Sequence, residues 1–276
     1  MSRTARADVT ESVDGGRERA APDAPVFIGV SLKAYFDHEQ TMRWCEQVRD
    51  VAARHPYFDR PSRELVALPG LASLASAGQI FDGGPIRLGA QNLWYEDRGA
   101  FTGEVGGPTL RQLGCTHVEV GHAERRGIFG EDDVMIERKI AAAVRNGLTP
   151  ILCVGERDRV DAASAAEICI GQVGRALEQT VRAGTVARIV VAYEPEWAIG
   201  AQSPAPVEHI TGVGAAVRSW LDGHPLLAGR VIYGGSAGPG LWTDLHGHLD
   251  GLFLGRFAHR PEALRGVLDE VVELAG

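Results

Sequence analysis

Cysteine is scarce in this chain: Cys45, Cys115, Cys153 and Cys169 stand far apart and show no metal-type spacing. That leaves no disulfide framework and no zinc pattern, so no metal site is expected, and reduced thiols in a cytoplasmic protein are the expectation. Long apolar runs are missing too. No stretch approaches the ~20 apolar residues of a membrane span, and the N-terminus has no apolar core of a secretory signal, so the protein is expected to stay where it is made. Excess positive charge is also lacking. The 28 Lys and Arg against 36 Asp and Glu leave a formal charge of -8, which argues against a nucleic-acid or anionic-membrane surface. A phosphorylated small substrate stays compatible, because a pocket can be positive on an acidic protein. Large apolar residues are nearly absent from residues 1 to about 24, whose four Arg nearly cancel three Asp and two Glu. That segment is expected to be a disordered tail.

From Val26 onward a pattern repeats: a short apolar, β-branched run, a polar or glycine-rich turn, then a segment with helical spacing. The runs are Val26–Ser31, Glu64–Leu68, Ile86–Ala90, His117–Gly121, Thr149–Val154, Arg188–Tyr193, Arg230–Gly234 and Gly251–Gly255. Between them Glu39–Ala53, Asp133–Asn146, Ala162–Arg182, Val207–Leu221 and Pro261–Leu274 read as amphipathic helices, with Leu71–Ser76, Gly107–Leu113 and Gly238–Leu245 as shorter ones. Strands that alternate with helices pair in parallel, and eight such units in 276 residues predict a closed (β/α)8 barrel. No linker interrupts the series, so residues 25–276 are expected to form one domain.

The distinctive polar residues follow the predicted strands, at the end where a barrel carries its chemistry. Pro195 stops the strand that ends on Tyr193, leaving Glu194 at a strand-to-loop junction. The loop after it, from Pro195 to Pro204, carries Trp197, Ile199 and Gly200 and reads as a lid. Ser31-Leu32-Lys33 puts a lysine at the mouth. Gly121 allows a tight turn before His122, and a helix starting there would keep the imidazole neutral, able to donate a proton to a carbonyl oxygen. Tyr233-Gly234-Gly235-Ser236 and Leu254-Gly255-Arg256 sit where barrels cradle phosphate with backbone amides. Taken singly, each has an ordinary reading: an exposed connecting glutamate, a surface lysine, a structural histidine. Glu124, Arg125 and Arg126 also suit a salt-bridge cluster that holds loop ends, the reading favoured for the two arginines.

Six blocks together go further. Gly89-Ala-Gln-Asn92, Gly99-Ala-Phe-Thr-Gly-Glu104, Gly121-His-Ala-Glu-Arg-Arg126, Ile151-Leu-Cys-Val-Gly-Glu156, Tyr193-Glu-Pro-Glu-Trp-Ala-Ile-Gly200 and Tyr233-Gly-Gly-Ser236 resemble the triosephosphate isomerase family in order and spacing, over about nine tenths of the chain. The resemblance implies a TIM barrel whose base is Glu194, whose electrophile is His122 and whose stabilising cation is Lys33. It implies phosphate contacts at Gly200 and Ser236, with Gly235 and Gly255 beside them, and a supporting carboxylate at Glu124. It also implies a cofactor-free isomerase, a phosphorylated sugar as substrate, and a homodimer through the 91–104 loop, where Trp94, Tyr95 and Phe101 suit an interface or the chain's own core. The first substrate pair is dihydroxyacetone phosphate and glyceraldehyde 3-phosphate, the glycolytic and gluconeogenic pair.

Departures from the family pattern point to a second pair. Ser31 replaces an Asn and leaves room, Ala123 replaces a Ser, Gln202 and Ser203 replace Gly and Lys in the lid, and Arg256 replaces a Gly of the phosphate turn. The arginine either points away or adds a charge-assisted contact. None of these removes the base, electrophile or lysine. They are what a paralogue with an altered substrate would show, such as one acting on a four-carbon keto-sugar phosphate like L-erythrulose 1-phosphate. A catalytically silent binding barrel is the remaining alternative.

Overall fold

A computed structural model describes residues 25–275. The expected tail over residues 1–24 lies outside the described residues. Eight parallel strands close into a barrel in chain order: β1 Val26–Ser31, β2 Arg63–Leu68, β3 Ile86–Ala90, β4 Cys115–Val120, β5 Thr149–Val154, β6 Ala187–Tyr193, β7 Leu227–Tyr233 and β8 Gly251–Leu254. Closure is made where β1 pairs β8, from Phe27 opposite Gly251 to Val30 opposite Leu254, while its other edge pairs β2 from Val26 opposite Arg63.

Helices alternate with the strands: α1 His38–Ala52, α2 Leu74–Phe81, α3 Gly107–Gln112, α4 Ala123–Phe129, α5 Asp133–Arg145, α6 Ala162–Arg182, α7 Val207–Asp222, α8 Leu241–Leu245 and α9 Pro261–Ala275. Three of the long ones, α1, α5 and α6, start on side-chain caps. Asp37 accepts from the Gln40 amide while Gln40 reaches back to the Asp37 amide, and Asp132 and Asp161 cap α5 and α6 by accepting from the amides of Met135 and Ser164. No described helix is long and apolar enough to cross a membrane.

Alternation along the strands divides the core in two. Phe27, Val66, Leu68, Ile151, Cys153, Val190, Ala192, Ile232 and Phe253 fill the barrel's interior. Their neighbours, such as Ile28, Leu65, Leu152, Val191 and Val231, pack outward against the helices. Both faces are covered, which is why the strands read as continuous apolar runs.

Two helices differ from expectation. The segment expected at Leu71–Ser76 is a 3-10 turn, Leu71–Ser73, leading into α2, which runs on to Phe81. Burial of Leu74, Ala77 and Phe81 along one face outweighs the helix-breaking tendency of Gly78. The segment expected from Gly238 becomes helical only at Leu241, because Gly240 holds a left-handed φ of 88°. β7 starts three residues before the expected Arg230, where Leu227–Gly229 pair with Ala187–Ile189.

Candidate active site

Inward positions at the C-terminal ends of four strands carry the groups that line the mouth. On β1 the alternation from Phe27 leads to Ser31; on β4 it leads from His117 to Glu119; beyond β6 and β7 it leads to Glu194 and Gly234. They line one cavity of about 760 Å³. All ten residues singled out from the sequence border it: Ser31, Lys33, His122, Glu124, Glu194, Gly200, Gly235, Ser236, Gly255 and Arg256. Ala123 lies outside it.

Glu194 is 4% exposed, and its Oε2 has no hydrogen-bond partner although it is buried. Burial first, and the charge of Glu119 second, push its pKa well above the ordinary carboxylate value, with Lys33 pulling the other way. A carboxylate left with an unpaired oxygen inside a cavity is a ready proton acceptor. Gly234 makes this placement possible: a Cβ there would stand 2.4 Å from Glu194 Oε1.

His122 caps the seven-residue α4, and its Nδ1 accepts the Glu124 amide at 3.0 Å. An amide N–H only donates, so Nδ1 is unprotonated and the ring proton sits on Nε2, facing Glu194 Oε2 at 3.5 Å. Burial, then the Lys33 charge, lower the ring's pKa to about 4, so the imidazole is neutral at pH 7. The conformation depends on Gly121, whose φ of 76° ends β4 abruptly.

Lys33 Nζ is 3.3 Å from His122 Nε2. Both groups are donors, so the pair converges on a shared outside acceptor and is not a hydrogen bond of its own. Glu124 holds the ammonium at 2.6 Å. Burial works to lower the lysine's pKa, but the hydrogen bond and charge of Glu124 outweigh it and the net shift is upward. Lys33 has a φ of 49°, alone in that region among described residues other than glycine. Strain of this kind costs about 1–3 kcal/mol and collects at functional sites. The two arginines take the structural part expected of them: Arg125 pairs with Glu131, and Arg126 with Asp133 at 2.8 Å.

The lid is tied down along its length. Trp197, Tyr193 and His209 all reach the fully buried Glu156, the indole N–H at 2.8 Å. Ser236 Oγ lies 2.9 Å from the carbonyls of both Ala198 and Ala201, and the Ala205 amide donates to the Tyr233 hydroxyl at 3.0 Å. The Ser236 hydroxyl proton is therefore engaged by the lid. Arg256 does not point away: its guanidinium stands over the Tyr35 ring at 5.9 Å, and its terminal nitrogen is 3.4 Å from where a Cβ on Gly200 would be.

Two residues of consequence were not singled out from the sequence. Glu156 anchors the lid, and its signal was present in a quoted block. Glu119 is 4% exposed, lines the cavity and accepts a 2.9 Å hydrogen bond from Ser31 Oγ. Burial raises its pKa to about 7, against the opposing effect of Ser31 and Lys33. Its signal was a lone acid between Val118 and Val120, in phase with the inward His117.

The triosephosphate isomerase family model matches residues 26–271. The chain is 47% identical to L-erythrulose-1-phosphate isomerase of Pectobacterium atrosepticum over 90% of its own length and 96% of that protein. It is 39% identical to triosephosphate isomerase of Aquifex aeolicus over 75% of its length and 85% of that protein. With the Synechococcus sp. (strain JA-2-3B'a(2-13)) enzyme of that name it shares 34% over 89% and 96%. Barrel, family match and relatives agree: the chain belongs to the triosephosphate isomerase family and is a sugar-phosphate isomerase of that type.

Proposed function

We propose that this isomerase converts L-erythrulose 1-phosphate to D-erythrulose 4-phosphate through an enediolate, with Glu194 as base, His122 as electrophile and Lys33 as the stabilising cation. The observation that carries the four-carbon reading is the cavity floor at Ser31, a side chain smaller than the family's Asn and turned to Glu119 beneath the reacting groups. The Pectobacterium relative, whose name specifies that substrate, points the same way.

In this reading the ketose binds with its C2 carbonyl oxygen between His122 Nε2 and Lys33 Nζ. Glu194 removes the C3 proton; the C–H pair forms the C2=C3 double bond and the carbonyl π pair moves onto O2. His122 gives its Nε2 proton to O2 and takes the proton from the C3 hydroxyl. Glu194 returns a proton to C2, and the carbonyl has moved from C2 to C3. Lys33 stabilises the negative oxygen throughout, and the lid keeps water from assisting loss of phosphate. The phosphate lies by Gly200, Gly235, Ser236, Gly255 and Arg256. Dihydroxyacetone phosphate and glyceraldehyde 3-phosphate are the competing pair, because the same three groups serve them and relatives named for that activity match well. Side-by-side kcat/KM values on the tetrulose and triose phosphates test the reading: a higher value on the tetrulose supports it, and fast turnover of the triose alone overturns it.

Arg256 reaches toward the lid, so Arg256→Gly is expected to raise KM on both substrates about tenfold with little change in kcat, as loss of one charge-assisted contact. A change confined to one substrate would contradict this placement.

The protein is also proposed to be a cytoplasmic homodimer through the 91–104 loop. Tyr95 packs on the chain's own core, but Phe101 at the loop's far end is 36% exposed, and Ile128 and Phe129 are more exposed still. Sedimentation is expected to give twice the chain mass; a monomer mass would remove the dimer.

A further inference from the structure

We propose that Glu119, held by Ser31, is the residue that selects a four-carbon substrate, its carboxyl group hydrogen-bonding the terminal hydroxymethyl group beyond the reacting carbon. This rests on the substrate reading above and names the residue responsible for it.

The placement comes from the barrel's order. In a closed ring of eight strands β4 stands across the mouth from β8. The phosphate cradle is built after β7 and β8, so a substrate anchored there and stretched under Glu194 directs its free end toward β4. Glu119 is on β4, three residues before His122, and one inward step deeper than the ring that would meet the carbonyl oxygen. The three-carbon ketose carries a hydroxyl and two hydrogens on the carbon that loses a proton, and the four-carbon ketose has a CH2OH in place of one of those hydrogens. That group needs both space and a polar partner inside a closed site.

Ser31 and Glu119 supply both. They come from strands that are not neighbours, 88 residues apart, and meet across the barrel's interior at 2.9 Å. The bond orients one carboxyl oxygen, and a carboxylate has about four acceptor positions. Capacity for a ligand hydroxyl therefore remains. Burying a carboxyl group next to Glu194 is unfavourable for the fold by itself, and the chemistry assigned to Glu194, His122 and Lys33 makes no use of it. A hydrogen bond to a substrate hydroxyl gives such a group a function, and sites built this way reject analogues that lack the hydroxyl.

The test assays wild type, Glu119→Leu, Glu119→Gln and Ser31→Ala on L-erythrulose 1-phosphate and on glyceraldehyde 3-phosphate. Binding of 2-phosphoglycolate, a two-carbon mimic of the enediolate that lacks the hydroxymethyl group, reports whether the site is intact. Glu119→Leu is expected to lower kcat/KM on the tetrulose phosphate about 100-fold. Its effect on the triose phosphate should stay within about threefold, with 2-phosphoglycolate affinity unchanged. Glu119→Gln, which keeps hydrogen-bonding capacity, should fall between Glu119→Leu and wild type on the tetrulose. Ser31→Ala, which frees the carboxyl group, should lose roughly tenfold on the tetrulose alone, and it carries the test if Glu119→Leu does not fold. Equal losses on both substrates, or an unchanged preference in all variants, overturn the inference while leaving the substrate reading intact. Wild-type turnover of the triose alone overturns the substrate reading, and the inference falls with it.

Discussion

Glu194→Gln is expected to lower kcat on the preferred substrate by at least roughly 1,000-fold, with KM changed by less than about threefold. The amide has nearly the same shape and fits over Gly234 as the carboxylate does, so the loop from Pro195 to Pro204 and the proposed phosphate cradle are left alone. What is lost is the proton acceptor, and no other carboxylate replaces it, because Glu119 lies deeper and Glu124 is held by Lys33. The base works only when ionised, and burial and Glu119 raise its pKa. Wild-type kcat/KM should therefore fall as pH drops through that raised pKa, with the limb displaced upward from the ordinary range near 4.5. A variant with near-normal turnover would remove Glu194 from the role.

Lys33→Met is the second large effect, and it carries a distinguishing pH signature. Methionine takes up the same strained backbone and leaves Glu124, 43% exposed, free to hydrate, so the fold should survive. Removing the cation from a partly buried site should lower kcat/KM by roughly 1,000-fold, the upper range for loss of one preorganised stabilising group. Lys33 also lowers the pKa of His122 and, against the larger effect of burial, that of Glu194. Without it both rise, so imidazolium and the protonated base each form at higher pH. The acid limb of the rate profile should move upward. A loss confined to KM, with the limb in place, would make Lys33 a binding group only.

Glu194 and His122 were legible as candidates because each follows a strand at a local break, whereas Lys33 has no such mark beside it and stood out only through the family resemblance. Pro195 follows Glu194, Gly121 precedes His122, and paired glycines mark the turn proposed to hold phosphate. The barrel was legible because its strands are short apolar runs covered on both faces. The partner of Ser31 was not legible. Glu119 lies within an otherwise apolar β4 run, and its contact is set by closure of the ring between residues 88 positions apart in the chain. Strand phase offered the one local clue, since His117 and Glu119 share the inner face. Glu156 was hidden differently: its three donors come from β6, the lid and α7, so its role as an anchor exists only once those elements meet. The end of α2 was obscured by Gly78, whose low helix propensity is overridden by packing of the buried face.

The most direct measurement follows L-erythrulose 1-phosphate with the wild-type enzyme in D2O by NMR, with Glu194→Gln run beside it. Proton removal by a base that exchanges with solvent predicts appearance of D-erythrulose 4-phosphate with deuterium on the carbon that receives the proton, and neither product nor exchange in the variant. Product with no deuterium at all, or no product from the tetrulose while the triose phosphate turns over, would contradict the account.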